Sequence, residues 1–442
     1  MSASPGRALM DKLVCIAKPP AGHLAGTSEG GVCIFRGIPY ARAARFQAPE
    51  PYPPWDGVRD AIRPGPMCPQ APDPLAFFIG SPQVPLEPSE NCQVLTIATP
   101  ALAGQRPVMV WIHGGGYLHG SGELACYSPQ RLAAQGDVVV VSISYRLGAF
   151  GFLAVDGGQA NCGTLDQMAA LQWVQRNIHA FGGDPARVTV FGQSAGGHSV
   201  LTLLCEHATQ PLFQRAIIQS APLGVRQSAQ DQAQVAIRFR AALKQDPYRA
   251  SAEALLAAQA AVTPQAGTPL PFSPAFSSAP PLATRAIDVM LGWTRDDAAP
   301  FIGLAENHVT PLPFVLPFFG SGLVAKLLTR QLFALPALAL ARTRSGQRAG
   351  PQKTYLYRLD TRFANNRYGA GHCVDLPLLL GDEASWQGAP LLGSSTWPQV
   401  HASGHKLRAA WAAFAWTGNP NAPGGYRFKP FSRFQPSPLV LS

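Results

Sequence analysis

Apolar positions divide the chain into a loosely patterned front and a tightly patterned body. Val108–Ile112 is a continuous apolar run of strand length, and Val138–Ile143 is a second, interrupted only by Ser142. Val188–Phe191 and Arg215–Gln219 read as further strands, as do Ile287–Leu291 and Thr354–Leu359. Short runs of this kind suit strands covered on both faces. Between them, Leu165, Met168, Leu171, Val174, Ile178 and Phe181 recur at three- and four-residue steps. That spacing marks one buried face of a helix, which Gly182 and Gly183 end. Ala195–His207 reads as another helix. Strands alternating with helices predict an α/β fold, with a mostly parallel central sheet covered by helices on both faces.

The residues before about position 90 are rich in Pro and Gly and read as an apron of short strands such as Val32–Phe35, with 1–30 irregular. No repeat or convincing linker cuts the chain, so 1–442 is expected to be one domain. At 442 residues, with 47% hydrophobic and 14% charged residues, it can bury a large core and lacks the composition of a disordered chain.

Charge changes this picture little. The formal net charge is +10. The basic residues are scattered, densest near Arg36–Arg45 and Arg342–Lys353, and form no stripe suited to nucleic acid. A cationic substrate gains no electrostatic steering from this balance, whereas an anionic one does. No stretch of eighteen uncharged apolar residues occurs, so no membrane span is expected. The N-terminal residues hold no run long enough for a signal-peptide core, which makes the cytoplasm the expected location. Eight cysteines without a CxxC pair are neither a disulfide scaffold nor a structural metal site. No metal or cofactor is expected.

Chemistry enters with Gly192-Gln193-Ser194-Ala195-Gly196, placed after a strand and before a helix. A sharp strand-to-helix turn exposes a serine hydroxyl, and small neighbours make that turn feasible. The following helix points its N-terminal dipole at charge developing on a substrate. His113-Gly114-Gly115-Gly116 ends an earlier strand. Glycine lets backbone N–H groups approach a substrate oxygen, so Gly115, Gly116 and Ala195 are candidate oxyanion donors. Read alone, either glycine motif is also an ordinary turn.

A nucleophilic serine needs a base, and the base an orienting acid, which follow it in the order acid, then histidine. The base then comes from His198, His207, His308, His372, His401 or His405. His198 lies too early in the helix after the serine, and His401 and His405 sit in a helix-like segment. His372 lies in a Gly-rich loop after the strand Thr354–Leu359, where catalytic side chains collect. Asp296 and Asp297 follow Ile287–Leu291, and either fits the acid or a helix N-cap.

With these residues in view, the chain resembles the type-B carboxylesterase/cholinesterase family, bacterial p-nitrobenzyl-esterase-like members included. The resemblance runs from Phe35 to near the C-terminus. It is carried by FRGIPYARAARF, SENC, VMVWIHGGGY, SISYRLGAFGFL, the block NCGTLDQMAALQWVQRNIHAFGGDPARVTVFGQSAGG, GWTRDD, GAGHCVDLPLLLG and WAAFAWTGNPN. It implies the α/β-hydrolase fold and a serine carboxylesterase that cleaves esters through an acyl-enzyme. It also implies Ser194 as nucleophile, His372 as base and Asp297 as acid, where family members usually carry glutamate. Gly115, Gly116 and Ala195 become the oxyanion donors, His113 and Ser220 supporting residues.

The same resemblance implies the ion pairs Arg146–Asp166 and Arg45–Glu90, and a disulfide between Cys68 and Cys92. A cytoplasmic location argues for reduced thiols, while the cysteine pair keeps secretion open. Gln193 stands where many members carry glutamate. The Cys68–Cys92 segment lacks the tryptophan of choline-binding members. Its Phe77 and Phe78, with Phe301, Phe314, Phe318 and Phe319, suggest an apolar pocket and a small, apolar ester as substrate. A monomer or weak homo-oligomer is expected.

Overall fold

The computed structural model describes residues 14–81, 84–266, 268, 270–275, 287–306, 320–345, 352–432, 434 and 437–442. Among the described residues, eleven strands form the path of one twelve-stranded sheet. They are β1 (Val14–Ala17), β2 (His23–Glu29), β3 (Val32–Pro39), β4 (Val94–Thr99), β5 (Arg106–Ile112), β6 (Val139–Ile143), β7 (Gly183–Gln193), β8 (Arg215–Gln219), β9 (Asp288–Thr294), β10 (Thr354–Leu359) and β11 (Leu439–Leu441). Their spatial order is β1-β2-β3-β4-β6-β5-β7-β8-β9-β10-β11, with a short strand, Val58–Asp60, beside β2. Pairings from β1 to β6 along this path are antiparallel, and all those from β6 to β11 are parallel. This is the mostly parallel sheet expected of an α/β-hydrolase.

Strand residues alternate between two cores. Val108, Val110 and Ile112 of β5 face one cluster, while Met109 and Trp111 face the other. The first cluster is closed by α1 (Cys162–Asn177) through Leu171 and Val174, and by α2 (Ala195–Cys205) through Val200 and Leu203. The second is closed by α3 (Trp397–Thr417) through Leu407, Trp411 and Phe414. Burial on both faces explains why these strands read as continuous apolar runs, without the alternation of a half-exposed sheet.

The irregular reading of 1–30 needs correction from Val14 onward, where β1 and β2 form an antiparallel pair. β1 is a four-residue apolar run, VCIA, too short to mark a strand by itself, and β2, HLAGTSE, mixes polar with apolar positions, so pairing makes both of them strands. A disulfide joins Cys15 of β1 to Cys33 of β3. The Cys68–Cys92 bond is not formed; both residues are buried free thiols. The hydrogen bond with the neighbouring Cys68 thiol and, after it, burial push the Cys92 thiol well above its usual range. Both expected ion pairs are present. Arg146 grips the buried Asp166 with two 2.8 Å bonds, and Arg45 Nε lies 2.8 Å from Glu90 Oε2.

The helical stretch Ser321–Ser345 has the length and apolar composition to cross a membrane. It nevertheless carries Lys326, Arg330, Arg342 and Arg344, and its Phe333 packs beside the site described next.

Candidate active site

The candidate triad residues and their two helpers sit at the C-terminal edge of parallel strands: His113 after β5, Ser194 after β7, Ser220 after β8, Asp297 after β9 and His372 in the loop after β10. This edge is where side chains of separate strands meet in open α/β sheets.

Ser194 occupies the turn between β7 and α2 with φ 58° and ψ −125°, a backbone region costly for a side-chain-bearing residue. Its N–H donates to Gln219 O at 2.9 Å, and its carbonyl accepts the His198 N–H at 2.9 Å. The turn is close enough that a Cβ on Gly196 would stand 2.0 Å from Ile112 O. The serine itself is half-buried, whereas its neighbours are fully enclosed.

The glycine loop after β5 runs beside this elbow. Gly115 has φ 105°, and a Cβ there would meet His119 O at 2.2 Å. Its carbonyl accepts the N–H groups of Leu118 and His119, both at 3.0 Å. Among the described residues no hydrogen bond occupies the Gly115 or Gly116 N–H. The Ala195 N–H heads a helix, where no intrahelical acceptor exists. His113 anchors this loop from below, stacked on Tyr145 at 4.5 Å with Nδ1 donating to Gly114 O at 2.8 Å. Burial lowers His113 to about 4, so its ring stays neutral.

Asp297 and His372 come from two loops pinned together. His372 Nδ1 lies 2.6 Å from Asp297 Oδ1, with both side chains buried. Asp297 Oδ2 accepts the Thr294 N–H at 2.9 Å, which fixes the carboxylate over the end of β9. Asp296 points elsewhere: Oδ2 accepts from the Ala370 N–H at 2.9 Å and from Arg295 Nη2 at 2.7 Å. Between the two aspartates, geometry therefore selects Asp297 as the partner of His372. Asp296 ties down the loop that carries it.

The aromatic rings of Phe301 and Phe333 pack on the imidazole at 5.0 and 5.5 Å. Phe77 and Phe78 instead meet Tyr368, at 5.9 and 5.1 Å, and Phe78 is core. Phe314, Phe318, Phe319 and His308 lie outside the described residues. His401 and His405 belong to α3, as expected. His198 is held by Tyr117 OH at 2.7 Å and Val225 O at 2.9 Å and is kept neutral by burial, near 4.

Comparison with known proteins decides what this arrangement belongs to. The model of the family described as "Carboxylesterase family" matches residues 14–303. The chain is 37% identical over 440 residues to the probable N-octanoylanthranilate hydrolase of Rhodococcus erythropolis, covering 94% of this chain and 96% of that one. It is 34% identical to the para-nitrobenzyl esterase of Bacillus subtilis, covering 90% and 89%. This chain belongs to the carboxylesterase family. A solved thermophilic p-nitrobenzyl esterase superposes with a TM-score of 0.83 at 31% identity, covering 96% of this chain and 95% of that one. The protein is thus a carboxylic ester hydrolase of the α/β-hydrolase fold.

Two residues of this carboxylesterase site, Phe333 and Asp375, escaped the sequence, and Gln193 was visible there without its contact. Phe333 lies in a π-helical turn, Arg330–Ala334, within a stretch with no other mark of function. Asp375 is buried three residues after His372, and its Oδ2 accepts a hydrogen bond from Gln219 Nε2. Burial raises the Asp375 carboxyl to about 6, against lowering by the Gln219 bond and by His372. The Gln193 side chain reaches His372, its Nε2 standing 3.1 Å from His372 Nε2. A charged residue following HxxD spacing was the available signal for Asp375. Nothing in the sequence signalled the direction of Gln193.

Proposed function

We propose that Ser194, His372 and Asp297 are the catalytic triad of this esterase, with Gly115, Gly116 and Ala195 supplying the oxyanion donors. The observation that carries this reading is the 2.6 Å contact between His372 Nδ1 and Asp297 Oδ1, beside the strained Ser194 turn. The carboxylate fixes Nδ1 as the protonated nitrogen and leaves the Nε2 lone pair for the serine proton.

The chemistry proceeds in two acyl transfers. Ser194 Oγ attacks the ester carbonyl while His372 Nε2 takes its proton, and the backbone donors hold the oxyanion. Each donor contributes about 3 kcal/mol in the transition state. His372 then protonates the leaving alcohol as the acyl-enzyme forms, and water repeats the sequence to release the acid. Phe301 and Phe333 exclude water at the base and favour an apolar acyl or alkoxy group over a polar one. The net charge of +10 favours anionic over cationic esters. The Rhodococcus relative, a probable N-octanoylanthranilate hydrolase, supports a medium apolar chain and an anionic group, and extends the reading to an amide. We place the working enzyme as a monomer or weak homo-oligomer in the cytoplasm.

Labelling with a fluorophosphonate probe tests the assignment without a choice of substrate. Stoichiometric labelling, lost together with ester hydrolysis in Ser194→Ala, is expected. Labelling that persists in that variant defeats it.

A further inference from the structure

Gln193 is the last residue of β7, paired in register with Gln219 of β8, so its backbone is as fixed as that of Ser194. Its side chain is buried and lies 3.1 Å from His372 Nε2 and 3.6 Å from Cys373 Sγ through the same nitrogen. The amide oxygen lies on the Gly114 side, where a Cβ would approach it to 3.1 Å.

The direction of the bond to the base follows from the far side of the ring. Nδ1 meets the Asp297 carboxylate at 2.6 Å and therefore carries a hydrogen. A neutral ring then presents only a lone pair at Nε2, and the Gln193 NH2 donates to it. Turning the amide oxygen toward the ring suits only an imidazolium. Among the described residues no hydrogen bond joins Ser194 Oγ to His372, and Gln193 alone occupies Nε2.

We propose that Gln193 is a positioning residue that caps the base at rest, holding His372 neutral and Nδ1-protonated and competing with Ser194 for Nε2. This inference rests on the triad reading. Two consequences of opposite sign follow. Protonating Nε2 sets it donor-to-donor against the amide, so the base remains available at lower pH. Ser194 must also displace the amide before its proton moves, which lowers the ceiling rate. The charged groups around the ring are Asp297 and Asp375. Phe301 and Phe333 pack on the ring, and the adjacent Cys373 thiol, pushed up by burial, is neutral, as is the Tyr357 phenol, pushed up by burial beside Asp375 and Asp297.

The test is the pH dependence of the fluorophosphonate labelling rate for wild type, Gln193→Met and Gln193→Glu. Each is also made in an Asp375→Asn background, because burial raises that nearby carboxyl to about 6. Gln193→Met keeps the volume and removes the donor. It is expected to move the acid limb up by about 0.5–1 pH unit, the equivalent of one neutral hydrogen bond, with the alkaline plateau held or raised. Gln193→Glu sets a carboxylate beside Nε2 and is expected to move the limb further, by about 1–2 units. Both shifts persist with Asp375→Asn. Should one variant fail to fold, the other carries the same prediction. An unmoved limb in either folded variant, a lowered plateau without a shift, or shifts that vanish with Asp375→Asn overturns the proposal. Failure of the triad reading looks different: wild type then does not label at Ser194, or labels equally well in His372→Ala.

Discussion

The two halves of the active site are held by different means. On the nucleophile side, backbone packs on backbone. Ser194 is strained at φ 58°, and Gly196 lies so close to β5 that no side chain fits between. On the base side, loops are tied by side-chain bonds: Asp297 to His372, Asp296 to Ala370 and Gln219 to Asp375. The first half is fixed by what the chain lacks, the second by which way particular side chains turn. One half should therefore break through stability and the other through chemistry.

The largest effect is expected on the base side. Asp297→Asn keeps the size of the side chain and removes the charge that sets the imidazole tautomer. Turnover should fall by about 10⁴ while the fold survives. Asp296→Asn weakens the tie to Arg295 and the loop, and turnover should fall by no more than about 10-fold, with the loss traced to thermal stability. Steady-state kinetics on both variants decide the matter, and the reverse ranking would transfer the acid role to Asp296.

On the nucleophile side, Gly196→Ala places a methyl 2.0 Å from Ile112 O and 2.7 Å from His113 O. Neither carbonyl can retreat without disturbing β5, so destabilisation of about 3 kcal/mol is expected from overpacking. Gly116→Ala is the contrasting case. Its Cβ would have Leu270 Cδ2 as nearest neighbour at 3.9 Å, so only the positive φ of 63° resists it, at about 1 kcal/mol. Urea denaturation of the two variants measures the difference. Equal losses would show that close approach does not hold the elbow.

The same contrast explains what the sequence disclosed. Gly192, Gly196 and Gly115 are demanded by backbone approach, and only one residue type meets that demand, so the elbow and the glycine loop are visible as letters. The central strands are visible because burial on both faces leaves only apolar residues. Asp296 and Asp297 are the same letter in adjacent positions. Their separate fates depend on Thr294 and Ala370 N–H groups that only the folded loops supply. Gln193 looks like a mild replacement for glutamate until His372 is placed 3.1 Å from it, 179 residues along the chain. β1 and β2 stayed hidden because their strand character comes from pairing, and the Cys15–Cys33 bond between β1 and β3 was hidden with them.

The smallest effect expected concerns Asp375, and its sign separates charge from packing on the base side. A free aspartate titrates near 3.9, and burial raises Asp375 to about 6 in the fold, against lowering by Gln219 and His372. Its contribution to stability is therefore fully present below about pH 4 and is lost as pH rises to about 6, amounting to on the order of 2 kcal/mol. His113 and His198 act in the opposite sense. Burial lowers both to about 4, so their contribution is present above about pH 6.5 and is lost as pH falls toward 4. In wild type the carboxyl offsets part of the gain from the two histidines. Asp375→Asn removes only the carboxyl term and can still accept the Gln219 N–H. Its stability relative to wild type should rise between pH 4 and pH 7 by on the order of 2 kcal/mol, read from urea midpoints across that range. Parallel curves for the two proteins would mean that Asp375 titrates in the fold as it does in the unfolded chain and is ionised across this range, so that side-chain bonds alone, without a buried proton, hold the loop.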